Sequence, residues 1–224
     1  MSDAALNAGY RAFGDSFTEQ LEARADEKWR TAGRKTKAKP NGEDVDWWAE
    51  NGLNMVKAYH DWRIANPNMV IWDTPQGVPA VELEILVDAG NGTMVKGSVD
   101  RVFQDFNSGE LCIVDLKTGS NTPTPIQLAS YKLALYKTFG ITIKFGAYWM
   151  AREGRLVEVH DLDRYTPDMI ARWFRNVRKA IDMGLFTPHA SRDCGWCGMK
   201  EHCYVWNDNT ITPDFNDDMA QEGK

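Results

Sequence analysis

Three extended segments in quick succession, separated by two tight-turn signals, restrict this chain more than any other feature. Val81 to Val87 is rich in branched apolar residues, Ala89-Gly-Asn-Gly92 signals a turn, and Met94 to Phe106 resumes extended character. Asn107-Ser-Gly109 marks a second turn before Leu111 to Leu116. Branched apolar runs bounded by Gly and Asn clusters read as strands, and turns this short join antiparallel neighbours. The spacing therefore predicts an antiparallel three-stranded meander in the middle of the chain.

Helical periodicity surrounds it. Residues 4 to 30 read as a helix, with Leu6, Tyr10, Phe13, Phe17 and Leu21 at i, i+4, i+7, i+11 and i+15. Thr31 to Glu43 breaks the pattern with Gly33, Pro40, Asn41 and Gly42, and reads as an exposed loop. Helical spacing returns from Asp46 to Ala65 through Trp47, Leu53, Val56, Tyr59 and Ile64. After the meander, a loop with Pro123 and Pro125 leads into a helix from Pro125 to Phe139. Lys144 to Met150 and Arg155 to Asp161, separated by Glu153-Gly154, read as a further hairpin. Thr166 opens a helix with Pro167 at its first position, running to Gly184. This order predicts an α/β fold: a mixed central sheet with the meander at its centre, helices on both sides, and a C-terminal cysteine-rich extension. The expected division is a core over 1–190 that includes the N-terminal helical region, the extension over 191–207, and a frayed polar tail over 208–224.

Apolar residues make up 43% and charged residues 26%, the balance of a soluble globular chain. No apolar run approaches the roughly 18 residues of a membrane span, and Met1-Ser-Asp-Ala-Ala lacks a basic-then-apolar signal layout. A cytoplasmic protein with no membrane partner is expected. The net charge of −6 argues against a non-specific nucleic-acid coat, but total charge hides local patches. Two basic clusters stand out. Lys28, Arg30, Arg34, Lys35, Lys37 and Lys39 have no acid between them, and Arg172, Arg175, Arg178 and Lys179 share a helical face. Each reads either as a solvated surface or, for the arginines of the second, as a guide for a DNA strand. Trp173 and Trp196 are aromatic candidates for stacking on bases; Trp173 also fits a core stripe with Ile170, Val177 and Ile181.

The segment Ile113-Val-Asp-Leu-Lys-Thr-Gly119 carries the chemistry. Strand alternation sets Asp115 and Lys117 on one face, about 6–7 Å apart, and turns Cys112, Val114 and Leu116 to the other. Burying either charge alone costs several kcal/mol, so the two need each other, a metal or a substrate. Asp100 lies on the preceding strand, and a hairpin closing near Gly109 lets it converge on Asp115. Two carboxylates with backbone carbonyls suit Mg²⁺ or Mn²⁺, ions that activate water and screen a phosphodiester. Lys117 then serves the attacking water and the transition-state charge. The plainer alternative is a structural Asp–Lys pair at a strand end. At the other end of the chain, Cys194, Cys197 and Cys203 stand in C-x2-C-x5-C spacing. Thiolates crowded like this, in a chain too long for a small disulfide scaffold, suit zinc or iron–sulfur.

Gly97-x-x-Asp100, a turn, then Ile113-Val-Asp115-Leu-Lys117-Thr-Gly119 resembles the central motif of PD-(D/E)XK nucleases. Gln127-Leu-Ala-Ser-Tyr131 resembles the Q-x-x-x-Y motif of their RecB-like branch. The resemblance implies a restriction-endonuclease-like core and a metal-dependent DNA nuclease, an exonuclease on single-stranded ends in recombination, repair or phage replication. It implies that Asp100, Asp115 and the Leu116 carbonyl bind Mg²⁺ or Mn²⁺, that Lys117 serves the water, and that Gln127 and Tyr131 border the site. Glu82 matches an acidic position present in some relatives, and joins the metal site or stays a surface acid beside Glu84. Many relatives carry a metal-binding histidine about four residues after a glycine, a slot that Gly52 to Val56 fills here; His60, one turn on, is a ligand or an ordinary residue. In iron–sulfur members of this branch the C-terminal triplet joins a far-upstream cysteine to hold a [4Fe–4S] cluster. No cysteine precedes Cys112 here, which leaves three readings: a cluster with another fourth ligand, Zn²⁺ with His202 or His189, or no metal. The rival functions are a DNA-binding adaptor on the same scaffold and a sequence-specific endonuclease, the latter disfavoured by the Q-x-x-x-Y segment.

Overall fold

The computed structural model describes residues 3–23, 43–119, 124–189, 194 and 197–203. The end of the predicted first helix, the loop after it with the basic run 28–39, Trp196 and the polar tail lie outside the described residues. Residues Met1–Arg175 form one compact unit and Asn176–Lys224 a second. The two long helices of the first half are α1, Asp3–Ala23, and α2, Val45–Ala65. The second begins where Asp44 caps it, its carboxylate accepting from the Trp47 amide at 3.0 Å.

The meander is present. Strands β2 (Val81–Asp88), β3 (Met94–Asp105) and β4 (Leu111–Lys117) pair antiparallel in order. A short strand without a sequence signal, β1 (Met69–Ile71), adds to β3 at Phe103–Asp105. It lies end to end with β2 along one edge of β3, since Val102 N donates to the Ala80 carbonyl while the Val102 carbonyl accepts from Trp72 N. On the other side of β4 the order continues with β5 (Phe145–Met150) and β6 (Arg155–Asp161). Strands β5 and β6 form the predicted antiparallel hairpin. Strand β5 runs parallel to β4, because the helix α3 (Ile126–Phe139) carries the chain back between them. Helix α4 spans Pro167–Asp182, and Thr166 Oγ1 accepts from Met169 N at its start.

Each face of the sheet carries a helix. Val102, Ile113, Tyr148 and Met150 pack with Leu128, Tyr131 and Leu135 of α3. On the opposite face Phe103, Val114 and Trp149 pack with Ala58, Tyr59 and Trp62 of α2. Strands covered on both faces are apolar throughout rather than alternating, which is why β5 reads Phe-Gly-Ala-Tyr-Trp-Met. This is the expected α/β restriction-endonuclease-like core, a mixed sheet flanked by helices.

Two departures from simple patterning matter. Ala80 and Leu83 both belong to the core on the α3 face, as do Val99 and Val102 opposite them, although residues three apart on a flat strand face opposite ways. The sheet rotates between these pairs, and Glu82 takes φ 48° there, a left-handed backbone that non-glycine residues seldom adopt. The apolar stripe of α4 is the second. Ile170 is buried, but Val177 and Ile181 are exposed and Trp173 only edges against Tyr165, so the core-stripe reading holds for the first turn alone.

Gly146 marks the tightest packing under β5. A Cβ there would stand 3.0 Å from Leu162 Cδ1 and 3.1 Å from Leu128 Cδ1, both fully buried side chains with no room to retreat. Gly146→Ala is expected to cost about 1–3 kcal/mol by overpacking, read as a lower urea midpoint at unchanged m-value. An unchanged midpoint would show that α3 can lift from the sheet freely.

Candidate active site

The ladder between β3 and β4 ends with Arg101 opposite Val114. One residue beyond on each strand stand Asp100 and Asp115. Here a side chain replaces the ladder: Asp100 Oδ2 accepts from Leu116 N at 2.8 Å. The Lys117 carbonyl is taken by Ala151 N at the end of β5. Successive carbonyls of a strand point opposite ways, so the Leu116 carbonyl is directed back to the β3 side, where Asp100 lies.

Asp115 is 1% exposed. Its Oδ1 accepts from Gln127 Nε2 at 3.0 Å and from the Tyr131 hydroxyl at 3.3 Å, and Gln127 Nε2 also donates to that hydroxyl at 2.8 Å. Gln127 and Tyr131 reach the same oxygen because they stand one turn apart on α3, whose apolar face seats it over Ile113 and Tyr148. Lys117 Nζ lies 2.5 Å from Asp115 Oδ2 and 5.8 Å from the Tyr148 ring centre.

The electrostatics follow from burial. Desolvation pushes the Asp115 carboxyl above its usual range; Lys117 pulls it down and the neighbouring Asp100 charge pushes it up again. Burial lifts the Tyr131 phenol to about 12, so at neutral pH it keeps its proton and remains a donor to Asp115. Tyr148 is raised for the same reason, and its hydroxyl donates to the Thr124 carbonyl at 2.7 Å.

These residues fit a hard cation. Asp115 Oδ2 is buried and, among the described residues, is met by the Lys117 ammonium in an ion pair. Two carboxylates on splayed strand ends, with the Leu116 carbonyl turned to them, form an all-oxygen donor set. Among the described residues no three His, Cys, Asp or Glu side chains gather as ligands. That is compatible with Mg²⁺ or Mn²⁺, which bind through one or two carboxylates and keep several waters.

Not every sequence candidate is part of this cluster. The Glu82 side chain is 63% exposed and pairs with Arg101 at 3.3 Å. His60 sits on α2, on the opposite face of the sheet from α3, with Nδ1 3.4 Å from Asp61 Oδ1. Arg175 donates to the Ala89 carbonyl at 2.5 Å, Arg178 pairs with Asp182, and Arg172 is exposed. Cys194, Cys197 and Cys203 form no disulfide, and among the described residues no group of three His, Cys, Asp or Glu that includes them stands ready to hold a metal. Cys112 packs against the α2 face, as alternation predicted, and burial lifts its thiol to about 12. Alkylation of Cys112 in the native protein is expected to be on the order of a thousandfold slower than that of exposed Cys197, since the thiolate is the reactive form. Equal labelling rates by mass spectrometry would contradict this burial.

Sequence reasoning missed a clamp behind the site. Arg152 makes two hydrogen bonds of 2.8 Å to the Glu43 carboxylate, donates to the Thr118 carbonyl, and stacks 4.8 Å from the Trp47 ring centre. Glu43 and Arg152 are 109 residues apart, so no local spacing could announce them.

The sequence is similar to the Gene 69 protein of Mycobacterium phage D29, 32% identical over 173 residues that cover 74% of this chain and 63% of the relative. The Gene 69 protein of Mycobacterium phage L5 is 30% identical over 192 residues, covering 74% and 65%. The chain thus spans under two thirds of the length of these relatives. The profile of the PD-(D/E)XK nuclease superfamily matches residues 4–204, nearly all of the sequence. With that match the chain belongs to the PD-(D/E)XK nuclease superfamily, a family of metal-dependent nucleases.

Proposed function

We propose that this protein is a metal-dependent DNA exonuclease of the RecB-like branch, acting on single-stranded ends in phage replication, recombination or repair. The observation that carries the reading is the assembly around Asp115: Lys117 on one carboxylate oxygen, Gln127 and Tyr131 on the other. A bound Mg²⁺ or Mn²⁺ supplies Lewis-acid charge at the scissile phosphate and eases deprotonation of the attacking water.

This chain's residues do the rest. Asp100, Asp115 and the Leu116 carbonyl would hold the ion. Gln127 and Tyr131 fix the Asp115 carboxylate by donating to Oδ1, which leaves Oδ2 to Lys117 and available as a donor to the ion. The Lys117 ammonium orients the water and stabilises negative charge developing on the phosphate, a charge already formed and positioned before substrate arrives. Gln127 is a positioning residue, acting through Asp115. No step is assigned to Cys194, Cys197 and Cys203; iron and zinc analysis of protein purified under nitrogen tests whether the triplet holds either.

The test is cleavage of end-labelled single-stranded DNA with Mg²⁺ or Mn²⁺, by wild type and Asp115→Ala. Stepwise shortening by wild type and none by the variant is expected. Absence of cleavage by wild type with either ion would favour the adaptor reading, and discrete internal fragments of duplex DNA would favour a sequence-specific endonuclease. Cleavage that survives in Asp115→Ala would remove the mechanism.

A further inference from the structure

A cavity of about 460 Å³ opens between α1, α2 and the end of β4, on the sheet face opposite α3. That volume falls among sites that hold small ligands, roughly 300–1,000 Å³. Its walls are aromatic: Phe13 and Phe17 from α1, Trp48 and Tyr59 from α2. Phe13 is 51% exposed, and its ring is stacked on Phe17 with the planes 14° apart. Flat rings held parallel at an open mouth offer π-faces to an incoming planar group.

Charge narrows the choice of occupant. Arg63, Arg101 and Lys117 line the cavity, and among the described residues no aspartate or glutamate does. The chain as a whole carries 32 acidic against 26 basic residues, so an acid-free wall with three cations departs from the background. Arg101 is fixed by its contacts with the Asp100 carbonyl and Glu82, and stands beside the proposed metal ligand. Lys117 belongs to both places, pairing with Asp115 and lining the cavity. An apolar peptide or a lipid tail would use the rings but gain nothing from two arginines leading to the catalytic lysine. An unpaired polynucleotide uses both, because its bases stack on aromatic faces while its backbone needs positive charge.

We infer that this cavity receives unpaired bases of the strand being cut, with the phosphates led past Arg63 and Arg101 to Lys117. The inference rests on the nuclease reading and gives its single-strand preference a site: stacking tolerates any base, so recognition is of single-strandedness rather than sequence. Paired bases are already stacked on each other and present no free face to Phe13.

Fluorescence anisotropy with EDTA present, which prevents cleavage, tests it. The probes are a labelled oligothymidylate and an abasic strand of the same length. Wild type is expected to bind oligothymidylate about tenfold more tightly, the scale of one stacked base. Phe13→Leu, which keeps apolar bulk at an exposed position, is expected to lose that preference, and Phe13→Trp to keep it. Equal affinity of wild type for both strands, or equal behaviour of the two variants, overturns the inference. So does concentration-dependent self-association that oligonucleotide leaves untouched, which would assign the cavity to a second copy. If DNA is cut but the strands bind alike, the cavity assignment falls and the nuclease reading stands. If the base preference holds but no DNA is cut with either ion, the nuclease reading falls and a single-strand binding site remains.

Discussion

Lys117→Ala is expected to cut DNA on the order of a thousandfold more slowly than wild type, with its fold and its affinity for Mn²⁺ retained. Removing one preorganised group that meets transition-state charge costs roughly 10²–10³ in rate, and Lys117 is asked to serve the water as well. The ammonium is 26% exposed at the rim of the sheet, so its loss opens no core cavity. Asp115→Ala separates the two roles. It removes a carboxylate proposed to bind the ion, so calorimetric titration is expected to show weakened Mn²⁺ binding as well as lost turnover. A Lys117→Ala protein within tenfold of wild-type rate would remove the lysine from the mechanism, and one that also lost Mn²⁺ would make it a support for the metal site instead.

The largest expected stability effect lies behind the site, at Arg152. Its guanidinium and the Glu43 carboxylate are 20% and 8% exposed, and the pair is bidentate. Truncating one partner of such a pair takes both hydrogen bonds and the opposite charge away from a buried carboxylate and typically costs about 3–5 kcal/mol. Arg152→Ala is therefore expected to lose about 3 kcal/mol, which in a chain of this size lowers Tm by roughly 6–12 °C. Arg152→Lys is expected to recover little, since an ammonium can neither fork to both oxygens nor stack on Trp47. A melting temperature within about 2 °C of wild type in Arg152→Ala would mean the clamp is screened by water. Activity should fall beyond what unfolding explains, because Arg152 also holds the Thr118 carbonyl, one residue past Lys117.

Much of the frame was legible in the residues because its signals are local. Alternation, turn glycines and helical spacing located the meander, α3, the last hairpin and α4 to within a residue or two. The Asp115–x–Lys117 and Gln127–x–x–x–Tyr131 spacings each fix which side chains share a face, whatever the rest of the chain does. Strand β1 escaped notice because three residues are too few for a period to show, and the turn of the sheet at Glu82 because it breaks the period that strand reading relies on.

What the amino-acid order determined alone, then, was the set of elements and the pairs of functional groups that neighbours on one strand or one helix turn must present together. Only tertiary structure decided that Gln127 and Tyr131 close on Asp115, that Glu82 turns to Arg101, that Glu43 waits for Arg152, and that α1 and α2 leave an aromatic cavity beside Lys117. The physical reason is distance along the chain. A spacing of two or four residues is set by backbone geometry, whereas contacts between segments form only when the burial of whole faces selects one packing among many.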